Sequence, residues 1–506
     1  MPPLLPELPS IAVSRRRGLP DEKQAARLQH LLIVLPPKAG AAQWRELPRG
    51  EELAALARRR PASAKAPLRT HLPGTTTAVT LGRAKPGDSV FAWHSTARKL
   101  AAAALAEDPS SVGIVVVGFS EEVTGQLQSA LAAAVLAGAF RLPTSRVEPA
   151  PSRLRRVQVF DARAEFDAAR VKAEAEGNDL ARWLTALPPN VLDAAAYRRL
   201  AIEIAEREGW GHRFFDEKAL ARKGAGAFLA VSQGNASRDA GIIKLSWRPG
   251  PKKAPPALTL VGKGICFDTG GNNLKPFKGM LDMHEDMQGS AVALGLLLTL
   301  TRLDYPEPVD CWLAVTENRI GPTAYKSRDV VTASNGVSIE VIHTDAEGRM
   351  ALADTLALAA ADKPGLIIDY ATLTGACVSA LTTRYSGVFS NRPTLYPELV
   401  AAGATTGERV WGFPMDADFD EDLESTAADL IQCSADGAGD HILASRFLGR
   451  FVGDAVPWVH VDLAAGHRKG GLGLISSATT GFGVRYTAGL LLDHGLLERI
   501  REGESS

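Results

Sequence analysis

Two short blocks hold the residue types that could do chemistry. One is His343-Thr344-Asp345-Ala346-Glu347-Gly348-Arg349, where two carboxylates alternate on a turn. The other spans residues 263–286 and carries Lys263, Asp268, Lys275 and Asp286. Taken singly these residues are ordinary: Asp286 reads as a helix cap and Lys263 as its surface partner. Taken together, several carboxylates among apolar segments repel one another unless cations neutralise them, and two lysines alone do this poorly. Oxygen-rich sites with a single nitrogen donor suit Zn²⁺, Mn²⁺ or Mg²⁺ rather than a thiophilic metal. The helical HExxH pattern of a single-zinc site is absent. The chemistry such a group could support is hydrolysis.

These residues need rigid elements to hold them. The acidic turn follows the β-branched run 337–342 and precedes the helical run 350–358. That order predicts carboxylates at the carboxyl end of a strand, where open α/β sheets place ligands. Strand-like and helix-like segments alternate through 257–262, 289–303, 309–316, 337–342, 349–361 and 366–370. The alternation predicts a largely parallel sheet with helices on both faces. Upstream, residues 30–35 and 113–118 read as buried strands, with Ala-rich helical stretches at 97–106 and 121–136. Few polar residues cluster there, so this part reads as a structural or assembly domain.

The polar, Pro-containing segment 143–156 leads into a charged helical run over 162–187, which Pro188-Pro189 stops. At 506 residues the chain is long enough for two domains. The expected α/β organisation is an N-terminal α/β domain over 1–161, a connecting helix over 162–187 and a larger catalytic α/β domain over 188–506.

Composition narrows the function classes. Hydrophobic residues make up 45% of the chain, enough for a sizeable core. Lys+Arg and Asp+Glu are balanced at 57 each, giving no general reason to expect nucleic acid or an acidic membrane as partner. The clusters Arg15-Arg16-Arg17, Arg58-Arg59-Arg60 and 153–156 read as solvated faces. Cys266, Cys311, Cys377 and Cys433 form no CxxC pair, so neither a disulfide framework nor a thiolate zinc site is expected. The first residues have their arginines after the apolar ones, the reverse of a secretory signal. No apolar run approaches a membrane span. The expected location is the cytoplasm.

The two blocks resemble the leucyl aminopeptidase family, two-metal exopeptidases also called cytosol aminopeptidases. Residues 343–349 match its Asn-Thr-Asp-Ala-Glu-Gly-Arg signature with His343 in place of asparagine. The blocks 261–276, around Asp286, and Ala371-Thr372-Leu373-Thr374-Gly375-Ala376 match too, in order, and the likeness spans roughly 180–485.

The resemblance implies a metal-dependent aminopeptidase that releases N-terminal residues, leucine among the preferred ones, from peptide substrates. It implies two divalent ions per subunit, Mn²⁺ or Zn²⁺, with Mg²⁺ as an alternative in the exchangeable site. Lys263, Asp268, Asp286 and Glu347 would hold the tighter ion, and Asp268, Asp345 and Glu347 the exchangeable one. Lys263 could ligate only as the neutral amine. Lys275 would stabilise the oxyanion, and Arg349 would hold a bicarbonate ion that shuttles a proton. Leu373 and Gly375 would offer backbone groups to the substrate. The assembly implied is a homohexamer. Two other readings are a DNA-binding or architectural role, which zero net charge weighs against, and a scaffold that has lost catalysis.

Three departures qualify the likeness. His343 reads as a swap of little consequence, or as a titratable group that bends the pH profile. Asp440-His441 stands where the family has small residues, and the Gly-rich segment 467–477 departs from the common pattern. In the family both regions lie near the substrate pocket, which implies an altered side-chain preference; the other reading is loops of no consequence.

Overall fold

A computed structural model describes residues 2–59, 66–146, 152–163, 166–250 and 255–503. Six strands form the first sheet: β1 (Ala12–Arg16), β2 (His30–Leu35), β3 (Leu68–His71), β4 (Ala78–Arg83), β5 (Ser111–Val116) and β6 (Arg156–Phe160). Their order is β1-β6-β5-β2-β4-β3, parallel except for the β3/β4 pair. The helices Val90–Leu105 and Glu121–Ala139 pack together over it. The predicted segments at 30–35 and 121–136 fall on β2 and the second of these helices. The helix foreseen at 97–106 begins earlier, where Ser89 accepts the Ala92 amide as its cap.

The remaining strands are β7 (Gly211–Asp216), β8 (Gly241–Trp247), β9 (Leu258–Asp268), β10 (Val309–Asn318), β11 (Val330–Thr332), β12 (Ser338–Glu340), β13 (Ile367–Ala371), β14 (Ser386–Ser390), β15 (Val410–Gly412), β16 (Leu430–Ile431) and β17 (Trp458–Asp462). Eight of them form the second sheet, in the order β15-β14-β17-β13-β9-β10-β8-β7. Its centre, β17-β13-β9-β10, is parallel throughout. The chain is thus α/β with mostly parallel sheets, as the alternation predicts.

Strand β9 shows why this sheet is sandwiched. Its even residues Leu258, Leu260 and Cys266 face the core containing the helix Gln288–Arg302. Its odd residues Val261 and Ile265 face the core containing the helix Glu347–Ala360. The period of two turns a nearly all-apolar strand into two buried faces. Lys263 is odd, so it points to the side where Glu347 lies.

One expectation fails. The segment 337–342 contributes only the three residues of β12, which pairs with β11 and β16 in a separate three-stranded sheet. The acidic turn therefore does not hang from a strand of the central sheet. Its β-branched composition favours an extended chain without saying which sheet receives it.

The helical run read at 162–187 is the helix Ala168–Ala186, capped by Asp167 and mostly buried. Gly177 lies against Gly295 of the helix Gln288–Arg302, where an added Cβ would come within 2.3 Å of the Gly295 carbonyl oxygen. Part of the polar segment 143–156 lies outside the described residues. The four cysteines are buried and free. Among the described residues no helix is long and apolar enough to cross a membrane.

Candidate metal centre

The carboxyl ends of the parallel strands converge on one place. Asp268 ends β9, Asn318 ends β10, and Asp462 ends β17; all three are buried. The segment Thr372 to Gly375 follows the end of β13. After β9 the chain turns at Gly270 and Gly271, whose φ values of +86° and +62° favour glycine. That turn brings Lys275 back: its Nζ lies 2.8 Å from Asp268 Oδ2 and 2.5 Å from Asp345 Oδ1.

The acidic turn is tied to this edge by side chains from both sides. Thr344 Oγ1 donates to the Gly270 carbonyl at 2.7 Å and accepts from the Asn273 amide at 2.8 Å. The Tyr325 hydroxyl donates to the Thr344 carbonyl at 2.7 Å. Gln432 Oε1 accepts the amides of Ile342 and His343. These bonds replace the central strand that the sequence suggested as support.

The result brings Asp268, Asp286 and Glu347 together, each offering one oxygen within 4.8 Å of the others. Lys263 Nζ donates to Asp286 Oδ1 at 2.8 Å and to the Thr372 carbonyl at 3.0 Å, and lies 3.0 Å from Glu347 Oε1. Gly348 leaves room for that lysine, since an added Cβ would stand 2.5 Å from its Cε. Asp286 does not cap the following helix. It closes a short 3-10 turn, Met283–Glu285, and the helix begins at Gln288 without a side-chain cap.

Burial drives the charges out of their ordinary ranges. Burial, with Asp268 adding repulsion, pushes the Glu347 carboxyl up to about 8. Burial raises Asp286 to about 6 despite the opposing Lys263 ammonium. Asp345 also shifts upward, by burial and then by Asp268. Lys263 moves the other way from a desolvated amine: burial lowers it, but Asp286, Glu347 and Asp268 outweigh that and hold it well above its usual value. Four carboxylates thus face two ammonium groups. Asp286 Oδ2 is buried and has no hydrogen-bond partner among the described residues. An acid excess with an orphaned oxygen fits a hard dication.

The nine predicted ligand, catalytic and substrate residues, Lys263, Asp268, Lys275, Asp286, Asp345, Glu347, Arg349, Leu373 and Gly375, share one cleft of about 910 Å³. The Leu373 amide is already committed to Asp462 Oδ1 at 3.2 Å. Sequence reasoning missed Asn318, whose Nδ2 donates to Asp268 Oδ1 at 2.8 Å and to the Thr344 carbonyl at 3.0 Å. It also missed Asp462 and Gln432. A usable signal existed for the first two: each is a polar residue that ends an apolar strand.

The departures part company. Asp440 bonds to Arg349, while the His441 ring packs edge-on against Phe413 at 4.4 Å. In the segment 467–477, His467 reaches the cleft and contacts Glu285 at 2.8 Å. Farther along, Arg98 of the helix Val90–Leu105 donates to the Gly470 and Ile475 carbonyls, and Leu474 and Ile475 join the core beside that helix.

Comparison with known proteins agrees with this geometry. A family model described as the cytosol aminopeptidase family, catalytic domain, matches residues 179–488. A probable cytosol aminopeptidase of Corynebacterium diphtheriae is 38% identical over 326 residues, 64% of each chain. One from Nitrobacter winogradskyi is 36% identical over 398 residues, 76% of this chain and 78% of its own. The match thus spans just under two thirds of the Corynebacterium relative's length. Among solved structures, a tomato leucine aminopeptidase mutant superimposes with a TM-score of 0.84 at 27% identity, covering 97% of this chain and 98% of its own. The bottromycin maturation enzyme BotP in complex with Mn does so at 0.80 and 28%, covering 93% and 100%. Strand ends, acidic turn and matched span coincide, and the chain belongs to the cytosol aminopeptidase family.

Proposed function

We propose that this chain is a metal-dependent aminopeptidase of the cytoplasm, releasing N-terminal residues of the leucine type from peptides. The observation that carries the reading is the trio of buried carboxylates within 4.8 Å, open to the cleft, with an oxygen left unsatisfied. Lys263, Asp268, Asp286 and Glu347 would hold one divalent ion, and Asp268, Asp345 and Glu347 a second. Mn²⁺ and Zn²⁺ suit this donor set, and the Mn complex of BotP favours the former. Such ions supply Lewis acidity and a nucleophilic water at neutral pH. Lys263 must shed its proton to ligate, and a cation among its three carboxylates provides the drive.

The chain's own groups do the rest. Lys275, held between Asp268 and Asp345, would stabilise the oxyanion of the tetrahedral intermediate. The backbone at Leu373 and Gly375 borders the cleft and would align the peptide. The assembly proposed with this activity is a homohexamer.

The test is hydrolysis of a leucine anilide by protein stripped of metal and reloaded with Mn²⁺ or Zn²⁺, beside Asp345→Asn. Activity should return with metal and be absent in the variant. A reloaded wild type silent across several N-terminal residues would sink the proposal.

A further inference from the structure

Arg349 lies in the first turn of the helix Glu347–Ala360, two residues past Glu347, and is 2% exposed. Its Nη1 donates to the Gln432 carbonyl at 3.0 Å. Its Nη2 donates to both carboxylate oxygens of Asp440, each at 2.8 Å. Asp440 is the first residue of the helix Asp440–Val452 and lines the same cleft as Asp345 and Glu347. The aromatic seat of His441 against Phe413 fixes that helix start in place.

A dissolved bicarbonate does not fit this arrangement. Nη2 is already taken by a carboxylate and Nη1 by a carbonyl; Nε is buried with no partner among the described residues, and a second anion reaching it would stand against the charge of Asp440. We propose that Asp440 replaces the dissolved anion at Arg349, so that the chain supplies its own carboxylate beside the acidic turn. The inference rests on the peptidase reading for its chemistry. As water attacks, its O–H bond breaks, its oxygen bonds to the peptide carbonyl carbon, and the proton passes to the Asp440 carboxylate. The proton then moves to the departing amine nitrogen as the C–N bond breaks, which returns Asp440 to the carboxylate. A tethered group is present at a fixed effective concentration, so turnover should not depend on dissolved anion.

The experiment uses the full Mn²⁺-loaded chain in bicarbonate-free buffer, with sodium bicarbonate or sodium formate titrated in. Leucine anilide hydrolysis and thermal midpoint are read together for wild type, Asp440→Ala and Asp440→Asn. Wild type should respond to neither anion. Asp440→Ala should lose about 100-fold in rate, recover most of it with either anion, and gain thermal midpoint as the anion fills the gap. Asp440→Asn, whose amide fills the same space, should stay slow with or without anion; it also carries the test should the alanine variant fail to fold. A wild type stimulated by bicarbonate, or an alanine variant at full rate without anion, would overturn the proposal. Should wild type prove inactive, the peptidase reading falls and the midpoints still decide. Bicarbonate raising the alanine variant alone supports the replacement, and an equal rise in wild type refutes it.

Discussion

Two buried acids on adjacent strands of the same sheet behave in opposite ways. Asp369, in the middle of β13, gives one oxygen to Trp458 Nε1 at 2.6 Å and the other to His460 Nδ1 at 2.7 Å. Asp369 and His460 stand directly across from each other in the β13/β17 register. Burial lowers the His460 imidazole, but Asp369 more than offsets this and raises it. Each oxygen of this carboxylate meets a donor, and the one atom left without a partner among the described residues is a ring nitrogen, His460 Nε2, rather than an acid oxygen. On β9, Asp268 shares its surroundings with Asp286, Asp345 and Glu347, and among the described residues two lysines are paired against these four acids. Burial is the same in both places; the balance of charge differs. A buried acid with its oxygens matched holds the sheet together, whereas an excess of acids leaves a place for a cation.

The comparison breaks most sharply at Glu347. Glu347→Gln should lower turnover on the order of 10⁴-fold, since it removes a carboxylate shared by both proposed ions. Yet the metal-free variant should be no less stable than wild type, because one repelling charge has gone. The pH dependence gives the sign. An acid whose folded-state value is raised to about 8 contributes stability below its unfolded value, and that contribution is lost as pH rises through about 8. Metal-free Glu347→Gln should therefore gain on wild type between pH 6 and pH 9 in melting experiments. A variant that loses stability with rising pH as steeply as wild type would place Glu347 with Asp369, as a structural acid.

Asp369→Ala should do the reverse. It strands the Trp458 and His460 donors in a dry interior, at a cost of roughly 3 kcal/mol in urea unfolding. Turnover per folded molecule should barely change. A large fall in turnover with intact stability would show that the closed pair also serves the cleft.

How far the sequence revealed these two sites follows from what each is made of. The acidic centre was legible because its residue types recur at short range: Asp345, Glu347 and Arg349 fall within five positions, and Lys263, Asp268 and Lys275 within thirteen. The central strands were legible as apolar runs. What was hidden depends on register between distant segments. Asn318 reaches Asp268 across fifty positions, and Asp440 reaches Arg349 across ninety-one. The β12 segment was misplaced because β-branched residues suit any sheet, and only its pairing with β11 and β16 puts it outside the central one. Asp369, with its partners eighty-nine and ninety-one positions away, gave no local sign at all.

His343 tests the rim of the open site, where the smallest effect is expected. Its side chain is exposed, and its Nδ1 accepts the Asp345 amide at 3.2 Å. The main-chain groups of the same residue are held separately, the amide by Gln432 Oε1 and the carbonyl by the Ala346 amide. An asparagine side-chain oxygen can accept from the amide two residues on in the same way, closing an Asx turn. The swap of asparagine for histidine therefore preserves the bond that shapes the turn, while changing what points to solvent. His343→Asn should keep turnover within about tenfold of wild type. His343→Leu, which cannot accept that bond, should fall further, as Asp345 is then free to drift from Lys275. Equal losses in the two variants would mean that the imidazole itself, rather than the acceptor it provides, matters to the open site.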